Sequence, residues 1–223
     1  MDWQAFGLSL KLAGLTLLIL LPLGIWVGRM FAYSDFCGKS FVEALIVLPL
    51  VLPPTVLGYY LLVSLGGDSG LGSWLKEVLG IQLSFSFMGL LVASMIFNIP
   101  FIVQPTQRAF DNVPKQLIDA GAVSGLSAWQ TFLYIELPLV WPGVLSAAVL
   151  TFVHTLGEFG VVLMMGGNIP GETKTIAISI YDRVQAFDFE SADRMSLLLL
   201  LLSLSAVAVS FFAAAKIMRK PKR

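Results

Sequence analysis

The chain has 223 residues, 57% of them hydrophobic and 13% charged, and its 14 basic and 14 acidic side chains cancel. A soluble domain carries about 25% charged residues, so solvating capacity is about half the usual, and a neutral chain without a basic, aromatic-interleaved patch excludes nucleic acid as a partner. Cys37 is the only cysteine and His154 the only histidine, which removes an intramolecular disulfide, a cysteine-rich metal site and most metal or triad chemistry.

A bilayer core about 30 Å thick needs about 20 mainly apolar helical residues. Five stretches qualify, at about 6–32, 41–65, 84–107, 136–165 and 195–216, and together they make one domain over 1–223. The first run, Phe6–Met30, exceeds the length of a signal-peptide core. It has only Lys11 nearby and no small-x-small cleavage pattern, so it reads as a retained membrane helix. A short polar turn follows at 33–40, and Cys37 within it has no resolving partner.

The second stretch contains LPLVLPPTVLGYYLL (48–62), with Pro49, Pro53 and Pro54 inside a span. Proline interrupts helical hydrogen bonding, and such breaks persist in membranes where neighbours or a water-lined cavity satisfy the freed backbone. This span is expected to pack inside the bundle. Residues 66–83 begin glycine-rich and include a short interfacial helix around Trp74–Leu79. The third span closes on Gln104 and Arg108, four apart and read as interfacial anchors, while Trp26, Trp129 and Trp141 fit interface positions.

Residues 108–135 are the longest connection between spans. Pro114 suits the first turn of a helix, Lys115–Ser124 supply about three turns, and Gly125 provides the left-handed stop that helix ends favour. Ser127-x-x-Gln130 has capping-box spacing and restarts a helix leading into the fourth span. The expectation is helix, glycine elbow, helix.

On the fourth span His154 and Glu158 lie four apart and share a helix face, flanked by Thr151 and Thr155. Intramembrane ionisable residues often mark a pathway, so the pair is read as gate or pathway, the alternative being that the two side chains pair with one another or with a neighbouring helix. No lysine or arginine lies near the middle of any span. A conduit that must release an anion is better lined with hydroxyls and amides, and Thr55, Asn98, Thr151 and Thr155 are the candidates. The turn Gly166–Gly171 resembles a phosphate-cradling loop only superficially. Glu172-Thr173 follow where Lys-Ser/Thr is required, so this chain is not expected to bind ATP, and the turn is read as facing a partner protein. Residues 173–190 leave a sixth span open, and Met195–Ala215 contain no charge.

Basic residues set orientation. Arg29, Lys39, Arg108, Lys115, Lys216, Arg219, Lys220, Lys222 and Arg223 fall on one side, against Lys11, Lys76, Lys174, Arg183 and Arg194 on the other. Nine against five places the C-terminus and the 108–135 connection in the cytoplasm.

Asp119-Ala120-Gly121, Gly125, Ile135, Leu137 and Pro138 stand at the spacing E-A-A-x3-G-x9-I-x-L-P. This resembles the cytoplasmic signature of permeases of bacterial ABC importers. Asp119 keeps the negative charge of the usual glutamate. Gly121 replaces an alanine, which loosens a helix by about 1 kcal/mol. The resemblance implies that these seven residues form a coupling helix and its flank, docking on an ATP-hydrolysing subunit through the small face of Ala120, Gly121, Ala122 and Ser124. The proline-rich second span, LGEFG (156–160) and NIPGETKTIAISIY (168–181) are similar to the molybdate permeases of that family, with tungstate and sulfate permeases as the alternatives.

The resemblance implies an all-α, polytopic type I ABC importer (MetI-like) transmembrane domain with five spans, or six. It implies a bacterial inner-membrane location and a transport subunit rather than an enzyme, with no cofactor on this chain and ATP and magnesium on the partner. The implied partners are a second permease copy in a homodimer, two ATP-binding subunits, an extracytoplasmic oxyanion-binding protein and membrane lipid. An intramembrane enzyme would need paired catalytic side chains, of which only His154 and Glu158 are present. A secondary transporter would show inverted repeats, which are absent from the sequence.

Overall fold

A computed structural model describes residues 1–218; Arg219, Lys220, Lys222 and Arg223 lie outside the described residues. Every regular element among the described residues is helical. The helices are α1 (Trp3–Tyr33), α2 (Lys39–Val51), α3 (Pro54–Leu65), α4 (Gly70–Leu79), α5 (Phe87–Asp111), α6 (Lys115–Val123), α7 (Ala128–Thr131), α8 (Leu137–Gly157), α9 (Gly160–Gly166), α10 (Ile176–Gln185) and α11 (Phe189–Met218). A π-helical turn, Phe132–Glu136, fuses α7 to α8.

Four continuous helices are long and apolar enough to cross a membrane: α1, α5, the fused Ala128–Gly157 rod and α11. The bent pair α2 and α3, which turns by 110° at the Pro53-Pro54 break, brings the number of crossings to five when it is counted as one span. Neither proline has an N–H to continue the ladder, so the chain must leave helix there. The alternative sixth span does not form. Its region yields only the ten residues of α10, about 15 Å of helix, half of what a bilayer core requires.

The central helix is α5, which packs against α1, α8, α2 and α9. Its crossing with α1 is close because Gly24 and Gly28, one turn apart, present no side chain. A Cβ at Gly24 would fall 2.6 Å from Ile102, and one at Gly28 would fall 2.9 Å from the Gln107 backbone nitrogen. Small residues at four-residue spacing are a standard membrane crossing device. Buried Leu12, Leu90, Val162 and Ile178, then Leu20, Ile102 and Ala147, then Phe110, Val140 and Val144 fill successive levels along the bundle. By contrast α11 is peripheral, with 11% of its apolar window buried.

The bundle has two distinct ends. The amino end gathers the start of α1, the α3–α4 connection, α9, α10 and the start of α11. There the Asp2 carboxylate accepts from the Ala5 N–H and the Ser179 hydroxyl, and the Ile176 N–H donates to Ser9. The opposite end gathers the close of α1 and α5, α6 and α7, and is called the knob end below. The 30 residues of α11 span about 45 Å and carry the chain back to it. Among the described residues each end holds five of the basic side chains named above. The nine-to-five bias therefore rests wholly on the four beyond residue 218.

Candidate functional site

The knob is built by local signals. Pro114 caps α6 with extended backbone, Gly125 adopts φ +80°, and the Leu126 N–H closes the turn on the Gly121 carbonyl at 3.1 Å. Ser127 and Gln130 form the reciprocal capping box that opens α7. Asp119, Ala120, Ala122, Val123 and Ser124 stand exposed on α6, and Val123 is 91% exposed.

Gly121 does not share that outward face. It is buried, and a Cβ there would sit 2.7 Å from Ile135 Cδ1. The glycine expected to loosen the helix is instead the seat on which the π-turn packs. Two signature residues fourteen positions apart, one near the start of the pattern and one near its close, thus meet in space. Leu137 and Ile118 enter the apolar cluster around Phe110 and Val140, which ties the knob to the ends of α1 and α5. Pro138 opens α8 and is exposed.

Behind the knob is a contact that sequence reasoning missed. Arg29 of α1 donates from Nε to Glu136 Oε2 at 2.6 Å and from Nη2 to Oε1 at 2.8 Å. Glu136 is 1% exposed and closes the π-turn. The available signal was a lone carboxylate inside the apolar run FLYIELPLV, which at this burial demands a cation. Trp26, Trp129 and Trp141 come together on one groove beside this pair, so the three interface tryptophans form a single surface. Gln104 and Arg108, read as anchors, line a polar cavity of about 280 Å³ with Glu43 and Gln107.

The second candidate region lies deep in the bundle. Its helix does not continue through Glu158: α8 ends at Gly157, Glu158 takes extended backbone (ψ 129°), and α9 restarts at Gly160. His154 and Glu158 therefore do not pair. Both reach across to Asn98 of α5 instead. His154 Nδ1 lies 3.0 Å from Asn98 Oδ1, while Asn98 Nδ2 donates to Glu158 Oε2 at 3.5 Å and Ser94 Oγ donates to the same oxygen at 2.9 Å. Phe101 stacks on the His154 ring at 3.9 Å. Ser94 was not anticipated, and it supplies the shortest hydrogen bond to Glu158.

Thr151 and Thr155 are buried beside this cluster, with Thr155 donating to the Thr151 carbonyl at 2.8 Å. Thr55 differs, being exposed at the first turn of α3. The two helix breaks are adjacent, since a Cβ at Gly160 would fall 2.8 Å from Pro54 Cβ and 3.4 Å from the Thr55 nitrogen. Asn98, His154 and Glu158 thus form one hydrogen-bonded cluster, with Thr151 and Thr155 on α8 before the break and Thr55 at the adjacent α3 break. Of the six, Thr55 is exposed, His154 is half-buried and the other four are buried.

At the amino end the loop after α9 is held by charge. Lys174 pairs with Asp182 at 2.6 Å, and Asn168 donates to both Asp182 oxygens at 3.0 and 2.9 Å. Burial works to raise the Asp182 carboxyl, but Lys174 and Asn168 outweigh it and hold it below its ordinary value.

The family model described as binding-protein-dependent transport system inner membrane component matches residues 21–223. The chain is 44% identical to the molybdenum transport system permease protein ModB of Azotobacter vinelandii, over 86% of this chain and 84% of that one. It is 37% identical to the protein of the same description from Escherichia coli K12, over 96% and 93%. A probable sulfate transport permease of Chlorella vulgaris is more distant, at 29% over 90% and 75%. In fold the chain resembles a crystallised bacterial ABC transporter involved in alginate import, with TM-score 0.77, 18% identity and coverage of 97% and 79%. It also resembles the MetNI methionine ABC transporter, with TM-score 0.66, 18% identity and coverage of 100% and 94%.

Proposed function

Because the chain belongs to the binding-protein-dependent transport system inner membrane components, we propose that it is the permease subunit of an ATP-driven molybdate importer. It is a transport component of the inner membrane and not itself an enzyme. Molybdate, ahead of sulfate, is supported by the higher identity to molybdenum permeases than to sulfate permeases. Tungstate shares the charge and tetrahedral shape of molybdate and is the anion that competition must separate from it.

The observation that carries the coupling role is the knob itself. Its signature residues form one packed unit, Gly121 on Ile135, and leave Val123 and the short side chains of Ala120 and Ser124 outward for a partner ATPase. In this reading the knob end is cytoplasmic, together with the C-terminus and its basic tail, and the amino end receives an extracytoplasmic oxyanion-binding protein. ATP and magnesium act on the partner subunits.

Force applied to α6 passes through Ile135 into the fused rod, and the rod ends at the Gly157–Glu158 break against α3. In this reading a second copy of the chain completes the conduit, which the exposure of Thr55 at the α3 break supports. The conduit holds no fixed cation at mid-depth. Of the candidate lining groups the Thr55 hydroxyl is the one open to a dianion here, while Asn98, Thr151 and Thr155 are buried among the helices behind it; in this reading affinity resides in the binding protein. Asn98 and Ser94 donate to the buried Glu158 carboxyl at the level of the helix break.

The test is uptake of molybdate into vesicles containing permease, ATPase and binding protein, with tungstate and sulfate as competitors. ATP-dependent uptake that sulfate fails to inhibit supports the assignment; uptake inhibited by sulfate as well as by molybdate overturns it.

A further inference from the structure

We propose that the Arg29–Glu136 fork is a positioning clamp that makes α1 move with the knob. The inference rests on the coupling role proposed above and concerns residues outside the signature.

The knob and α1 have no direct chain connection, and the two residues are 107 apart in sequence. Without the fork, the inner part of α1 would meet the rod only through apolar side chains, which can slide. Two parallel N–H···O bonds fix both separation and orientation, since the guanidinium and carboxylate planes must align. Glu136 is 1% exposed, so separating the pair would strand a buried carboxylate; the pair has to travel as one body. Two aromatic rings lie near the guanidinium. Its centre lies 5.4 Å from the Tyr33 ring of α1 and 5.5 Å from the Phe132 ring of the π-turn.

The position of the pair in the π-turn gives the clamp its direction. Ile135 faces the buried Gly121 of α6, and the next residue, Glu136, faces α1. A displacement of α6 therefore reaches both neighbours of one peptide unit. From Arg29 the contacts continue without a gap. Gly28 lies against the backbone of Gln107 in α5, and the Gln107 amide donates to Glu43 of α2 at 2.9 Å. Knob, rod, α1, α5 and α2 are thus linked at one level by close backbone contact and hydrogen bonds. Contiguity alone does not establish coupling, which requires that perturbing the link change how one site follows the other.

The experiment uses the whole complex in liposomes and reads molybdate imported per ATP hydrolysed. Glu136→Gln keeps the shape and removes the charge, and Arg29→Lys keeps the charge and removes the fork. Both variants are expected to assemble with the ATPase and hydrolyse ATP within about twofold of the unaltered complex, while molybdate per ATP falls about fivefold or more. A merely structural role would lower the amount of assembled complex and leave that ratio unchanged. The clamp is overturned if the ratio stays within about twofold in either variant that assembles, or if neither assembles. Absence of ATP-dependent uptake by the unaltered complex would instead overturn the functional reading beneath it.

Discussion

Val123 tests the knob most directly, because it is 91% exposed and lies at the last turn of α6. Among the described residues nothing covers this aliphatic side chain, and a partner cleft would. Val123→Ala removes two carbons. At about 0.8 kcal/mol for each one buried, full coverage by the ATPase makes the loss about 1.6 kcal/mol, or about 15-fold in affinity. The permease alone should be indifferent, since surface substitutions stay within about 0.5 kcal/mol and alanine is the better helix former. The assay is titration of labelled ATPase onto permease in nanodiscs, paired with thermal melting of the permease by itself. Leu71→Ala, exposed on α4 at the amino end, serves as the control and should leave ATPase affinity unchanged. An unchanged affinity for Val123→Ala, or a loss accompanied by a lower melting temperature of the isolated permease, refutes the argument that this side chain is held for a partner.

Gly58→Ala should destabilise the meeting of α3 and α9. The added Cβ would lie 2.7 Å from Met164 Cβ and 3.1 Å from Val161 Cα, atoms that cannot swing aside. A cost of about 1–3 kcal/mol would appear as a lower melting temperature, and an unchanged one counts against the α3–α9 packing. Asn98→Leu leaves Glu158 with Ser94 as its remaining donor and His154 without its Oδ1 partner. Thermal unfolding should register about 1–3 kcal/mol for each buried group left short; no change would mean the network is not formed. The depressed Asp182 carboxyl contributes stability that is present above its free value of 3.8 and lost as pH falls through its lower folded value. Protection against hydrogen exchange over 168–185, taken relative to the intrinsic amide rate at each pH, should therefore fall on acidification through that window, and Asp182→Asn should show low protection that is flat across it. A native-like pH step in the variant would assign the effect to another group.

Glu136 shows why part of the site escaped the sequence. As a letter it lay between the signature residues Ile135 and Leu137 and looked like one more variable position. Its partner Arg29 was read only as a charge for orientation, because a distance of 107 residues carries no periodic signal. The His154–Glu158 spacing misled in the opposite way. Four residues apart implies one face only while the helix persists, and the helix ends at Gly157. Gly121 was legible as a departure from the signature, yet its reason, the Ile135 methyl seated on it, exists only once α6 folds back.

The sequence by itself determined the features governed by local physics. Run length and hydropathy marked the four continuous spans and the bent pair, Pro53-Pro54 the break, and Pro114, Gly125 and the Ser127–Gln130 box the knob, since each depends on backbone chemistry within a few residues. Tertiary structure alone decided which polar groups meet inside the bundle: Asn98 and Ser94 with Glu158, Arg29 with Glu136, and the two helix breaks with each other. In an apolar bundle any buried polar group must find a partner, and the chain specifies that need locally. Which partner meets it is set by how the helices cross, and small residues such as Gly24 and Gly28 fix those crossings at long range.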